Sequence, residues 1–330
     1  MITLPRIRFA QLPTPIEPLP RLSAALGGPR LFVKRDDQTG LAFGGNKTRK
    51  LEMLVAEAQA NGARTLITAG AVQSNHCRQT AAAAARFGLG CILVLTGEQP
   101  DQATGNLLLD GMLGAELVWG TRAEREQLLQ GTFQAAWEAG RRPYLVPYGG
   151  SSPTGAASYA LAIQELVEQS HEELLKETPV DWIVFPSSSG GTQAGMTVGK
   201  RIFGWDGKIL GISVDEPADV LKSRVAALAS ATAEKLGERM SFSPEEILVN
   251  DEYLGGGYGV VGEPEREAIH LFARLEGLLV DPVYTGRAAA GLIGLIRSDF
   301  FSRGETVLFW HTGGNPALFA DKYQSILSHS

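Results

Sequence analysis

Short apolar runs alternate with alanine-rich or amphipathic stretches along most of the chain. RTLITAG (64–70) and CILVL (91–95) predict buried strands, and the alanine-rich stretch at 74–88 between them predicts a helix. Further apolar runs of the same kind are YLVP (144–147), DWIVFP (181–186), KILGISV (208–214) and TVLFW (306–310). Strands and helices that alternate across short loops are typical of parallel sheets covered by helices. The pattern therefore predicts the α/β class.

Several stretches between these runs have helical periodicity. From Leu51, apolar residues at 51, 54, 55 and 58 form one face, and the Asn-Gly pair at 61–62 predicts the end of this helix. Other predicted helices cover residues 123–139, 192–200, 216–236 and 263–276. With 330 residues, the chain is long enough for two domains.

Composition and charge narrow the class of function. The net charge of −6 argues against nucleic acid as the main partner, because nucleic-acid binding requires a basic surface. The two cysteines, Cys77 and Cys91, have no C-x-x-C spacing, so we expect neither a metal site nor a disulfide framework. Because we find no signal peptide and no apolar run of ~18 residues, we expect a cytoplasmic protein that does not contact the membrane.

The segment FGGNKTRKLE (43–52) places Lys47, Arg49 and Lys50 in the first turn of a predicted helix. Positive side chains are unfavourable there, because the helix dipole puts partial positive charge at the N-terminus. A solvated lysine is the ordinary interpretation. However, a local rule that is broken three times in four residues is typical of a functional site. Lys47 is therefore the first candidate for a role in chemistry.

A glycine-rich segment follows the predicted strand at 181–186. In SSSGGT (187–192), hydroxyls and two glycines precede a helix, an arrangement that presents backbone N–H groups to an anion. The alternative is a tight turn in which Thr192 caps the helix. Sequence alone leaves both interpretations open.

Three more polar segments lie at the ends of predicted strands or near them. Ser74 and Asn75 lie between a strand and a helix, although Ser74 alone is equally consistent with an N-cap. Tyr284 lies in LLVDPVYTG, and Thr312 lies just after the last strand, in FWHTGGNP. Strand ends at one edge of a parallel sheet converge on one crevice, so we expect these groups to meet there.

This inventory suits pyridoxal phosphate. The cofactor requires a lysine for its aldehyde, an anion site for its phosphate, and partners for its ring oxygen and ring nitrogen. Cationic neighbours of Lys47 would also lower the pKa of its amine, which makes the amine a better nucleophile and base.

Longer motifs resemble one known family. KRDD, GGNKTRKLE, AGAVQSNHCRQTAA, SSSGGTQAG, ARLEGLLVDPVYTG and HTGGNPALF are similar to segments of the D-cysteine desulfhydrase and 1-aminocyclopropane-1-carboxylate (ACC) deaminase family. The resemblance runs from about residue 8 to residue 322. It implies a fold-type II, tryptophan-synthase-β-like enzyme that uses pyridoxal phosphate, with a small domain inserted in a larger one. We expect the large domain at 1–50 and 161–330 and the small domain at 51–160, in a homodimer.

The resemblance also implies residue roles. Lys47 matches the Schiff-base lysine, and Asn75 matches the residue that bonds the ring oxygen of the cofactor. The expected catalytic residues are Lys47, Ser74, Tyr258 and Tyr284. The expected cofactor-binding residues are Lys47, Asn75, Ser188, Ser189, Gly190, Gly191, Thr192 and Thr312. The expected substrate-binding residues are Gln73, Ser74, Asn75, His76 and Tyr284.

Two positions separate the activities within this family. Deaminases carry Glu after the tyrosine of DPVY and Leu within H-L-G-G, whereas this chain has Thr285 and Thr312. A carboxylate near the ring nitrogen makes a strong electron sink, and a threonine hydroxyl makes a milder one. ACC has no Cα proton and needs a harder route, whereas β-elimination needs only removal of the Cα proton and loss of sulfide. We therefore favour β-elimination on D-cysteine to pyruvate, ammonia and hydrogen sulfide.

In the expected mechanism, Lys47 removes the Cα proton, and Tyr284 or Tyr258 assists the departure of sulfide. Two alternatives stay open. The chain acts on another small amino acid, such as ACC, D-serine, β-chloro-alanine or L-cysteate, or it is a non-catalytic protein that binds pyridoxal phosphate or an amino acid.

Overall fold

The computed structural model describes residues 4–176 and 178–328. The strands are β1 (Ile16–Pro18), β2 (Arg30–Lys34), β3 (Thr65–Ala71), β4 (Gly90–Thr96), β5 (Glu116–Gly120), β6 (Pro143–Leu145), β7 (Trp182–Ser187), β8 (Lys208–Ser213), β9 (Leu248–Asn250) and β10 (Thr306–Trp310). The helices are α1 (Pro20–Leu26), α2 (Asn46–Ala60), α3 (Asn75–Arg86), α4 (Gly105–Met112), α5 (Arg125–Glu138), α6 (Pro153–Gln169), α7 (Glu173–Lys176), α8 (Gly191–Phe203), α9 (Ala218–Lys235), α10 (Glu263–Glu276), α11 (Thr285–Arg297) and α12 (Asp321–Ser328).

The strands form two separate sheets. Within the described residues, the larger sheet has the order β1-β2-β10-β7-β8-β9, and the smaller has the order β5-β4-β3-β6. Every neighbouring pair is parallel except β1 with β2, which is antiparallel. The predicted α/β class is confirmed. None of the helices in the described part of the chain is both long and apolar enough to cross a membrane.

The apolar runs form strands because both faces of the sheets are covered. Each residue of β7 and of β10 is buried, as expected for parallel strands between two layers of helices. The helices predicted at 216–236 and 263–276 correspond to α9 and α10. The hydrophobic pattern did not predict β2, α6 or α11 as separate elements.

The domain boundary predicted at residue 160 falls inside α6. This helix is continuous from Pro153 to Gln169, and Gly195 and Gly199 of α8 approach its backbone so closely that a Cβ at either position would meet Ala156 or Ala160. Because α6 packs along α8, which follows β7 of the larger sheet, we propose that the second domain boundary lies between β6 and α6. The other predicted domain limits stay predictions.

A buried cluster of charges fixes the start of α2. Arg49 donates to Asp36 Oδ1 at 2.8 Å and to Glu165 Oε2 at 2.9 Å, and Lys34 Nζ lies 2.5 Å from Glu165 Oε1. The hydroxyl of Tyr159 also donates to Asp36, at 2.6 Å. Although burial opposes ionisation, the Arg49 guanidinium holds the pKa of Asp36 below its ordinary value. Two positive and two negative groups therefore compensate one another in the interior.

Candidate active site

One pocket lies where strands of both sheets end. β3 leads into Ser74, β7 leads into Ser188 and β10 leads into Thr312. The predicted site residues that line this pocket are Lys47, Ser74, Asn75, His76, Ser188, Ser189, Gly190, Thr192, Tyr284 and Thr312. The expected convergence at one crevice is therefore confirmed for these residues, and their individual roles stay predictions.

Lys47 lies at the start of α2, and its side chain is partly exposed to the pocket. Burial lowers the pKa of its amine to about 8, whereas a hydrogen bond with Lys50 acts in the opposite direction. The prediction that cationic neighbours lower this pKa is wrong about the cause. Arg49 is turned away into its ion pairs with Asp36 and Glu165. The three basic residues thus have different positions, and Lys47 is the one that reaches the pocket.

The first turn of α8 is open to an anion. Its N-cap is Gly190, with φ +84, a residue that has no side chain to cap the turn. The predicted alternative, in which Thr192 is the cap, is therefore wrong. Asn46 Nδ2 donates to Thr192 Oγ1 at 3.1 Å, and Ser189 Oγ lies 2.8 Å from Ser151 Oγ. Backbone N–H groups and these hydroxyls suit a phosphate group.

The start of α3 forms the opposite wall. Ser74 is the N-cap of this helix and accepts from the Cys77 N–H at 3.2 Å, so it both caps the helix and lines the pocket. Thr68 Oγ1 donates to the Val146 carbonyl at 2.9 Å and lies 2.8 Å from His76 Nε2. The hydroxyl therefore accepts from Nε2–H, which leaves Nδ1 of His76 as an acceptor. Burial lowers the pKa of His76 well below its ordinary value, so the ring is neutral.

Thr312 and Thr285 differ in position. Thr312 lines the pocket, whereas Thr285 is fully buried and its hydroxyl donates to Asp281 Oδ1 at 2.7 Å. The same hydroxyl accepts from the Asp281 backbone N–H at 2.7 Å. Thr285 is therefore occupied in the turn that starts α11, and Thr312 is the threonine of the pair that faces the pocket.

Tyr284 and Tyr258 form a hydrogen-bonded pair with hydroxyl oxygens 2.6 Å apart. Tyr284 lines the pocket, whereas Tyr258 lines two other, more open cavities, which we call the outer cavities. Burial raises the pKa of Tyr284 and of Tyr258 well above the ordinary value, so both phenols are protonated at neutral pH. The pair can therefore deliver a proton into the pocket from outside.

Two other predicted residues do not line this pocket. The side chain of Gln73 donates to the Thr104 carbonyl at 2.9 Å and accepts from the Asn106 N–H at 2.8 Å, so its amide is already bonded. Gly191, in the first turn of α8, donates its N–H to Ser151 Oγ at 3.1 Å. The roles predicted for Gln73 and Gly191 stay predictions without support from contacts in the pocket.

Some lining residues were not among those predicted individually as site residues. These are Asn46, Tyr148, Gly149, Pro186, Ser187 and Gly313. Tyr148 follows β6 at the end of the smaller sheet, and the guanidinium of Arg125 lies 4.7 Å from its ring centroid. Tyr148 directly follows the predicted strand at 144–147, so the rule that strand ends collect ligand contacts applies to it.

The donor set of the pocket fits pyridoxal phosphate. A lysine amine of lowered pKa, an open helix N-terminus, the Asn75 amide and the Thr312 hydroxyl match the aldehyde, phosphate, ring oxygen and ring nitrogen of that cofactor. Within residues 4–176 and 178–328, no three His, Cys, Asp or Glu side chains are grouped as a metal site.

Comparison with known proteins agrees with this fit. A family model described as pyridoxal-phosphate dependent enzyme matches residues 7–313. The D-cysteine desulfhydrases of Salmonella typhimurium and Salmonella typhi are 43% identical to the chain over 324 residues, which cover 96% of this chain and 96% of each relative.

Solved structures give the same picture. The crystal structure of an ACC deaminase homologue has a TM-score of 0.87 and 38% identity, covering 98% of this chain and 96% of that one. An L-serine ammonia-lyase from Rhizomucor miehei shares the fold, with a TM-score of 0.69, 18% identity, and coverage of 96% of this chain and 97% of that one. The expected fold-type II architecture is confirmed, and the chain belongs to the pyridoxal-phosphate dependent enzyme family.

Proposed function

We propose that this chain catalyses β-elimination on D-cysteine to give pyruvate, ammonia and hydrogen sulfide, with one water consumed. One observation carries the choice within the family. Among the described residues that line the pocket, none is Asp or Glu, and Thr312 lines it instead. A ring nitrogen that meets a hydroxyl and no carboxylate is a mild electron sink, which is sufficient for removal of a Cα proton. The relatives named D-cysteine desulfhydrase support the same substrate.

The residues of the pocket divide the work in this proposal. Lys47 would hold the cofactor, and its amine, when free, would take the Cα proton on Nζ. The lowered pKa of this amine makes its neutral form accessible near pH 8. The start of α3, with Ser74 and His76, faces the substrate carboxylate. Pyridoxal phosphate, when bound, would supply an electron sink for the electron pair left at Cα.

The tyrosine pair supplies the proton that the leaving sulfur requires. Tyr284 Oη donates this proton and is replenished from Tyr258, whose oxygen is 2.6 Å away. Water in the outer cavity can then reprotonate Tyr258 without entering the pocket. This arrangement keeps the reacting carbon away from bulk water while the sulfide leaves.

A substrate panel tests the proposed reaction. We expect the purified chain with bound cofactor to release sulfide and pyruvate in equal amounts from D-cysteine, and to act at least about tenfold more slowly on L-cysteine and ACC. Faster release of 2-oxobutyrate from ACC would contradict the proposal and favour the deaminase. Faster pyruvate release from D-serine, β-chloro-alanine or L-cysteate would favour another lyase. A chain that binds the cofactor but turns over none of these compounds would be a binding protein.

We also propose that the chain forms a homodimer through an apolar surface on α4 and the 3-10 helix Asn315–Phe319. Met112 and Phe319 are 74% and 65% exposed, and Leu108, one turn before Met112, is 48% exposed. Exposed apolar side chains on adjoining elements favour burial against a second copy. Sedimentation should give a dimer for the wild type and a smaller species for Met112→Glu with Phe319→Glu. Trp137→Glu, at a 60% exposed position on α5, is the control and should stay dimeric.

We propose a cytoplasmic location, and the state of the two cysteines supports it. Cys77 and Cys91 are both free and buried in the structure. Burial raises the pKa of Cys77 well above its ordinary value and that of Cys91 to about 12, so both thiols are protonated and unreactive. Free thiols of this kind suit a reducing compartment.

A further inference from the structure

We propose that Asn106 is a positioning residue that fixes the orientation of the Asn75 amide toward the cofactor. Asn106 lies in the first turn of α4, is fully buried and does not line the pocket. Its Nδ2 donates to Asn75 Oδ1 at 2.9 Å. The inference rests on the proposed cofactor site, and not on the identity of the substrate.

The orientation of the Asn106 amide follows from two partners, one of which can only donate a hydrogen bond and the other of which can only accept one. Nε of Arg78 lies 3.1 Å from Asn106 Oδ1, and a guanidinium can only donate. Asn106 Nδ2 lies 3.1 Å from the carbonyl oxygen of Gln73, which can only accept. A rotated Asn106 amide would put donor against donor and acceptor against acceptor. Its NH₂ group must therefore face Asn75.

The same logic then fixes Asn75. Because Asn106 presents a donor, the atom of Asn75 that faces it must be the acceptor Oδ1. Asn75 lines the pocket, and its remaining NH₂ group is left to donate to the ring oxygen of the cofactor. The orientation at the pocket is thus set by a chain of bonds that starts at Arg78.

Surrounding contacts hold this chain in place. Arg78 is fully buried, and its Nη1 donates to the carbonyls of Ala42 and Gly44. The Asn106 backbone N–H donates to Gln73 Oε1 at 2.8 Å. Gly105 has φ +59, and a Cβ there would lie 2.5 Å from the same Gln73 oxygen. Gln73 therefore holds the turn that carries Asn106. Gln73 thus supports the cofactor site indirectly, without contact with the substrate.

Replacement of Asn106 by aspartate tests the inference with little change in shape. A carboxylate still accepts from Arg78 but cannot donate to Asn75, so Asn75 turns its oxygen toward the ring oxygen of the cofactor. Loss of a donor to an anionic oxygen should raise the pKa of the lysine-linked imine by about one unit or more and weaken cofactor binding about tenfold or more. The readouts are a pH titration of the cofactor absorbance and the equilibrium dissociation constant for pyridoxal phosphate.

A double-mutant cycle separates positioning from a general structural effect. In an Asn75→Ala background, Asn106→Asp should produce no further change in the imine pKa, because the residue through which it acts is gone. Gln102→Glu, at an exposed position before α4, adds the same charge and should leave both readouts unchanged. If Asn106→Asp does not fold, Asn106→Ala should shift the imine pKa in the same direction by a smaller amount.

The outcomes are distinct. A wild-type chain without a lysine-linked absorbance band would overturn the cofactor site and this inference with it. A wild-type chain with that band, combined with unchanged titrations for Asn106→Asp and Asn106→Ala, would overturn the inference alone. An equal shift in the presence and absence of the Asn75 amide would also overturn it. None of these readouts depends on whether D-cysteine is the substrate.

Discussion

Lys47→Ala is expected to lose the lysine-linked absorbance band of the cofactor and to slow sulfide release from D-cysteine at least about 10³-fold, because both the covalent link and the base are removed. Lys47 is the lysine whose side chain lines the pocket among the described residues. The measurement is the visible spectrum of the purified variant together with a sulfide assay. Borohydride reduction of the wild type followed by peptide mapping should place the modification on Lys47, and not on Lys50, in the segment GGNKTRK.

Lys50→Met is the matched control for this experiment. Lys50 is on the same helix and is almost fully buried, and its amine donates to the Gly149 carbonyl at 3.1 Å. Since it does not line the pocket, Lys50→Met should keep the covalent cofactor. If Lys47→Ala keeps the band and Lys50→Met loses it, the covalent link is to Lys50, and the proposed mechanism is contradicted.

Arg49→Met is expected to destabilise the chain by about 3–5 kcal/mol, because it leaves two buried carboxylates without their main partner. Arg49 makes ion pairs with Asp36 and Glu165, whose side chains are 0% and 12% exposed. The free energy of unfolding, measured by urea denaturation of the apoprotein, reports the effect. Asp36 loses the group that holds its pKa down, so the loss of stability should be smaller at acidic pH, where this carboxyl is protonated.

Arg297→Met is the control for a surface ion pair. Arg297 and Glu267 are 50% and 42% exposed, and solvent screens such pairs, so the expected cost is about 0–1 kcal/mol. Equal losses of stability for Arg49→Met and Arg297→Met would show that burial of the Asp36 cluster adds nothing to its strength.

The sequence predicted elements whose pattern is local. The runs that became β3, β7 and β10 are apolar and end at glycine or polar residues, which is sufficient to identify buried parallel strands. α6 was missed for the opposite reason. It has buried residues at nearly consecutive positions from Thr154 to Ala160, so one apolar face is not visible in its sequence.

The site was predicted where chemistry breaks local rules and missed where partners are distant. The basic cluster at Lys47 was recognisable because it opposes the helix dipole, but its division into a pocket lysine and the ion pairs of Arg49 depends on Glu165, far along the chain. Similarly, the hydrogen bond between Asn106 and Asn75 joins the starts of α4 and α3, two helices that are separate in the sequence. Such contacts are set by packing, and no short pattern in the chain encodes them.

The pocket takes its groups from the ends of strands in both sheets, so neither sheet alone can bind the cofactor. A ligand that binds only the assembled chain stabilises that state at the expense of every partly folded one. Pyridoxal phosphate therefore stabilises the association of the two sheets with each other. The rate at which the lysine-linked absorbance band returns after dilution from denaturant will therefore report the rate at which the two sheets come together.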